Sequence, residues 1–234
     1  MTRHSAGFTL VEIAIVLLIL GFLVALVVQG QELIHNARVR SLISQQSAVS
    51  TAVLGFQDRF RALPGDYAQA STNIACTPTC PNGNGNSRIE DVGTPREFIL
   101  VWTHLSAAGF LNASLSATSG TVTPGPDDSP TNAFGAYVQV IFDSSWGYSG
   151  NTARRHNIKT GNQVPVEILA EVDAKIDDGL PASGRFQFSA YSGAGAAPDW
   201  GGTADTCTNN DFPDPGTHWN MTNGQSNCGA ASLL

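Results

Sequence analysis

The chain has 234 residues, enough for one soluble domain beside a membrane segment. Charged residues make up 13%, about half the usual share, while 24 Gly and 12 Pro imply many turns. The net charge of −7 is uneven, +2 over residues 1–63 and −9 over residues 64–234, so the acidic part is a poor nucleic-acid binder on electrostatic grounds.

Residues 8–28 form an apolar run with one charge, Glu12. As a helix the run is roughly 31 Å long, close to the hydrocarbon thickness of a bilayer. A removable secretory signal has a shorter apolar region and a small-residue cleavage site, and no A-x-A sequence follows Val28. A retained membrane-spanning helix is therefore expected. Within it, a carboxylate at mid-membrane costs about 2.5–3.5 kcal/mol on insertion scales, so Glu12 is a candidate functional residue. The bland alternative is that Glu12, near the helix end, reaches the headgroups. The run holds no Lys, Arg or His, so a positive partner must come from a chain terminus or another molecule.

The stretch Gly7-Phe8-Thr9-Leu10-Val11-Glu12, followed by the apolar run, resembles the prepilin signature of type IV pilins and type II secretion pseudopilins. That resemblance implies cleavage by a prepilin peptidase between Gly7 and Phe8, on the cytoplasmic side, and N-methylation of the new Phe8 amine. Residues 1–7, with Arg3 and His4, would be the leader. Residues 8–30 would be the transmembrane and filament-core helix, 31–63 the periplasmic half of the stem, and 64–234 the pilin head. The implied partner of Glu12 is the Phe8 amine of a neighbouring subunit, although Phe8 and Glu12 of one helix are also close enough to pair. Charge does not orient the span, because Arg38 and Arg40 follow it while Arg3 precedes it. The cysteines and the resemblance place the head outside the inner membrane.

Beyond the membrane no Pro interrupts Gln31 to Ala62. Val49, Ala52, Val53, Phe56 and Phe60 recur at helical steps, and Leu63-Pro64-Gly65-Asp66 stops the pattern. One helix from Phe8 to about Ala62, roughly 80 Å long, is expected. Its first half is apolar all round and its second half has one apolar stripe suited to packing on a head domain. Gln29-Gly30 is its expected weak point.

The head reads as mixed helix and strand, giving an α+β, pilin-like fold. Thr94-Pro95-Arg96-Glu97 fits a capping box, with Phe98, Val101, Trp102 and Leu105 on one face of the helix it opens and Gly109 at its end. Residues 133–142 alternate as a strand should. Residues 165–176 have helical spacing, and Arg185–Phe188 reads as a strand. Arg154-Arg155-His156 reads as a solvated turn, and residues 111–132 and 192–234 as loops. The LPGD turn, the Asn/Gly turn, "W-x-H-L-x-x-A-G" and "D-x-K-I-D-D-G-x-P-x-x-G" resemble the heads of one group of prepilin-like proteins.

Four cysteines in an exported head point to disulfides, and three connectivities are open. The sequence-local choice is Cys76 with Cys80 and Cys207 with Cys228. The latter loop is similar to the disulfide-bounded loop near the C-terminus of many pilins. A zinc site is the competing reading, but the long gap offers no paired His or second Cys-x2-Cys. Asn82, Asn84, Asn86 and Glu90 carry oxygens at the alternation of a calcium loop, with Asp66 or Asp91 available to complete a site. However, Asn replaces the carboxylates and Gly93 stands where the bidentate Glu should be, so a turn tied by its own side chains competes. No other cofactor is implied. Asp173, Asp177 and Asp178 sit unfavourably for the dipole at a helix C-terminus and need a reason, such as capping a loop or pairing Lys175.

No Ser/His/Asp or Cys/His arrangement argues for an enzyme. The expected function is a structural subunit of a type IV pilus or pilus-like filament. Its partners would be identical or related pilin subunits in a helical filament, the prepilin peptidase, the inner-membrane assembly platform and, before assembly, the lipid bilayer. Its final place would be an extracellular or periplasmic filament. The alternative is a minor pilin or pseudopilin acting as a tip module for substrate, surface or DNA, with residues 192–234, including Trp200, Phe212 and Trp219, as the binding loop.

Overall fold

The computed structural model describes residues 9–76, 80–147, 151–199, 206–209 and 216–234. The chain divides into two compact units, Met1–Arg38 and Val39–Leu234, and helix α1 (Leu10–Phe60) contributes to both. In the first unit the apolar side chains from Leu10 to Val28 are exposed on every face of the helix. An apolar surface that wraps a helix has no core of its own, so lipid or other helices must cover it. Among the described residues, α1 is the one helix long and apolar enough to cross a membrane. Gly30, the expected weak point, is helical; one glycine costs only about 1 kcal/mol against a long run of helix-forming neighbours.

The second unit holds the pilin-like α+β head. After α1 come α2 (Ala70–Asn73), α3 (Glu97–Ala107), β1 (Gln139–Asp143), β2 (Arg155–Lys159), α4 (Val166–Ile176), β3 (Phe186–Phe188) and β4 (Ala230–Leu233). The strands form one antiparallel sheet in the order β1-β2-β4-β3. Register aligns Val140 with Ile158, Ile158 with Ser232, and Ser232 with Phe186 across its four strands.

The stripe that α1 buries is Val39, Leu42, Gln46, Val49, Ala52, Val53 and Phe56, at steps of three and four. Val49, Val53 and Phe56 join Ile99, Trp102 and Leu105 of α3 and Val140 and Ile158 of the sheet in one core cluster. Val39 and Leu42 join Ile168, Leu169 and Val172 of α4, Phe186, Trp219 and the Cys207 and Cys228 pair in a second. The stem is thus the shared wall of two adjacent cores. Arg61, at φ +53°, ends the helix in the left-handed position, its N–H donating to Gln57 O at 2.8 Å. Gly65, at φ +86°, lies so close to α3 that a Cβ would fall 2.4 Å from Glu97 O.

Several expectations need correction. Helix α3 starts at Glu97 with Arg96 as its cap residue, and no side-chain cap bond forms there. Thr94 is not the cap, because the Glu97 carboxylate turns to the amides of Asn84 and Glu90 instead. The strand expected over 133–142 is confined to its second half. Asn132 Oδ1 accepts from the amides of Phe134 and Ala136 and folds that stretch into a turn before β1. Arg155 and His156 are not a solvated turn but the start of β2. Residues 192–234, read as loop, end in β4 between β2 and β3.

Candidate functional site

Gly7 and Phe8, the expected processing residues, lie outside the described residues. At Thr9, the first described residue, a reciprocal arrangement opens α1. Thr9 N–H and Thr9 Oγ1 each donate to Glu12 Oε2 at 2.8 Å, and Glu12 N–H donates to Thr9 Oγ1 at 3.3 Å. This is a capping box, with Thr9 as N-cap and Glu12 three residues on. It ties down amides that the helix start leaves without partners, which matters most where no water can serve them. Thr9 was the residue that the charge argument missed, although Thr-x-x-Glu before an apolar run is a known start signal.

In the head, the Asn/Gly turn closes around two buried acids. Asp66 Oδ1 accepts from Asn86 N–H at 2.9 Å and Oδ2 from Ser87 N–H at 2.8 Å. Glu97 accepts from the amides of Asn84 at 3.1 Å and Glu90 at 3.0 Å. Burial holds both carboxyl groups above the usual range, against the pull of those amides. The side-chain oxygens of Asn82, Asn84 and Asn86 accept from the amides of Ser71, Asn86 and Arg88, while Asn86 Nδ2 donates to Glu90 Oε2. The geometry is that of a self-tied turn, in which each Asn oxygen already has an amide.

His104, in α3, completes this region. Its Nδ1 accepts from Gly65 N–H at 2.9 Å, so its proton sits on Nε2, which donates to Pro81 O at 2.8 Å. Burial lowers its pKa to about 4 and keeps it neutral. The LPGD, Asn/Gly and W-x-H-L motifs are therefore parts of one hydrogen-bonded lock.

Oxygens of Asp173, Asp177 and Asp178 lie within 4.8 Å of one another at the end of α4. Each serves a local amide or side chain. Asp173 accepts from Trp219 Nε1 at 2.8 Å and Gly179 N–H at 3.3 Å. Asp177 accepts from the amides of Arg185 and Phe186, and Asp178 from Leu180 N–H and Ser183 Oγ. Lys175 pairs with Glu171 rather than with these acids. Burial first, then the neighbouring acids, pushes Asp173 up to about 6.

Cys76 is bonded to Cys80 and Cys207 to Cys228, with no free cysteine among the described residues. Of the aromatic residues expected to present a binding loop, Trp200 and Phe212 lie outside the described residues. Trp219 is 3% exposed and belongs to the core instead.

Residues 2–28 match the model of the prokaryotic N-terminal methylation motif, the signature of type IV pilins and pseudopilins. That motif indicates a structural protein, a type IV pilin-like or pseudopilin precursor, and implies prepilin peptidase processing and assembly into filaments. With the long apolar helix, it fits anchoring in an inner membrane before assembly. No curated protein matches the chain, and no solved structure does.

Proposed function

We propose that this chain is a structural subunit of a type IV pilus or pilus-like filament. It inserts in the inner membrane with its head in the periplasm. The peptidase cuts between Gly7 and Phe8, the Phe8 amine is methylated, and the assembly platform draws the helix of residues 8–30 into a filament core. There Glu12 meets the Phe8 amine of a neighbouring copy, and each charge relieves the other. The reading needs no cofactor.

The observation that carries it is the position of Glu12: one acid, at the third residue of an exposed apolar helix and within the matched methylation motif. A lone carboxylate is unfavourable in lipid, and a fresh terminus beside it answers that cost. The experiment is incorporation of Glu12→Val as the sole copy, read as the ratio of sheared filament subunit to membrane pool. Insertion and cleavage should persist while incorporation falls strongly. Normal incorporation would overturn the proposal.

A further inference from the structure

The head lock carries a chemical hazard in its own sequence. Asn82-Gly83 and Asn84-Gly85 are both Asn-Gly pairs. An asparagine followed by glycine is the dipeptide most prone to lose its side-chain amide, because glycine has no side chain to shield its backbone nitrogen. The fold nevertheless demands both glycines. A Cβ on Gly83 would fall 2.3 Å from Gly65 O, inside the backbone of the LPGD turn. Gly85 sits at φ +76°, where other residues are strained. Asn82 and Asn84 are both exposed to water.

The same lock opposes the reaction. The nucleophile is the glycine nitrogen, and its target is Cγ of the preceding asparagine. Gly83 N–H donates to Tyr67 O at 3.0 Å and Gly85 N–H donates to Asp66 O at 2.9 Å. The asparagine side chains are held as well, since Asn82 Oδ1 accepts from Ser71 N–H at 2.8 Å and Asn84 Oδ1 from Asn86 N–H at 2.9 Å. Two groups that are each tied elsewhere do not settle into an attack arrangement. We infer that Asn82 and Asn84 are modification sites, which the closed lock preserves and its opening converts to aspartate and isoaspartate. On opening, the glycine nitrogen bonds to Cγ and the Cγ–Nδ2 bond breaks. Nδ2 leaves as ammonia, carrying the proton of the glycine N–H. Water then adds to either carbonyl of the cyclic imide and cleaves its bond to that nitrogen. The conversion runs one way. A new carboxylate joins Asp66, Glu90 and Glu97, which already repel one another. Isoaspartate also lengthens the main chain, which takes the amides of Gly85, Asn86 and Ser87 out of register with Asp66. Each opening event is thereby written into the covalent chain.

The test incubates the full chain in detergent micelles at neutral pH. Peptide mass spectrometry with isoaspartate detection reads both pairs, and the same chain in guanidinium is the reference. Native conversion should be at least about tenfold slower than the reference. Hydrogen exchange at the Gly83 and Gly85 amides reports the opening itself. Glu97→Gln, which turns a donor toward one of its two amides, should speed exchange and conversion together by about fivefold or more. Converted wild-type chain, separated by its added charge, should not regain slow exchange at Gly83 and Gly85. The inference is overturned if native and denatured chains convert at the same rate, or if converted chain recovers native exchange. It is equally overturned if Glu97→Gln leaves exchange unchanged, or speeds exchange without speeding conversion. Should Glu97→Gln fail to fold, the wild-type comparisons decide alone.

Discussion

Trp219 Nε1 donates a 2.8 Å hydrogen bond to Asp173 Oδ2 in the buried space where α4 ends against the Cys207–Cys228 loop. The bond ties the last turn of a core helix to a long loop of weak secondary structure. Its acid is held at about 6, mainly by burial.

A carboxyl whose pKa is higher folded than unfolded keeps its proton longer in the native state. Between about pH 4 and 6 the native chain therefore binds the extra proton, and the Asp173 contribution to stability falls as pH rises through that window. His104 acts in the opposite sense, because its folded pKa of about 4 lies below its ordinary value and its contribution is lost on acidification. The two overlap, so the measurement must isolate one. The Trp219 indole N–H signal should titrate with a midpoint near 6. In Asp173→Asn, which still offers an acceptor oxygen, that titration should vanish. A midpoint near the ordinary aspartate value would contradict the buried environment assigned to Asp173.

Helices α1, α3 and α4 were legible because their signals are long and periodic, whereas the four-residue α2 carries no such signal. The α1 stripe, the closing Leu63-Pro64 and the spacing of α4 all follow from side-chain geometry that one sequence carries. Strand β2 was not legible, because Arg155, His156, Asn157 and Lys159 carry no alternating apolar pattern. Arg155 stays exposed, while His156 is half-buried and Asn157 and Lys159 are buried by partners that only the fold supplies. Lys159 pairs with Asp143, Asn157 Nδ2 bonds the same carboxylate, and the His156 ring lies 4.9 Å from Phe142. Strand β4 is Ala-Ala-Ser-Leu, weak in strand propensity, and forms because β2 and β3 pair with its two edges. At the membrane end Thr9-x-x-Glu12 carries two signals at once, a helix start and a charge in lipid, and the capping box is the one the single chain displays.

Glu97 is the member of the head lock whose chemistry is easiest to invert. Both its oxygens accept amides, so Glu97→Gln turns a donor toward either Asn84 or Glu90 N–H. A buried amide left unmade costs about 1–3 kcal/mol, and the denaturant midpoint of the variant should fall accordingly. Calcium removal is the companion experiment. With the Asn82, Asn84 and Asn86 oxygens already serving amides, a chelator should leave the Tm of the full chain unchanged. A drop in Tm that added calcium reverses would make the turn an ion site.

The Cys207–Cys228 bond closes a loop across a sequence separation of 21 residues, and both cysteines are fully packed in the second core. In the chain-entropy model a closure of this size stabilises by roughly 3 kcal/mol. Replacing both cysteines by serine should lower stability by about that amount and lead to faster proteolysis between residues 192 and 227. Unchanged denaturant and protease profiles would mean that β4 pairing alone holds the loop.

Glu12 now has two physical roles to separate. In the single chain it closes a capping box with Thr9. In the proposed filament it meets the amine of the next Phe8. Capping needs an acceptor at the third helical position, and Gln satisfies it as Glu does. Charge relief needs the carboxylate. Glu12→Gln should therefore insert, begin its helix at the same residue and be cleaved after Gly7, yet enter filaments as poorly as Glu12→Val. Thr9→Val tests the converse, since it removes the cap and keeps the charge. Loss of an N-cap costs about 1 kcal/mol, so its incorporation should fall only modestly. Both ratios are read from sheared filament against membrane pool, with the mature N-terminus checked by mass spectrometry. If Glu12→Gln assembles normally while Thr9→Val fails, the acid at position 12 serves the helix start, and the recruitment role assigned to its charge is wrong.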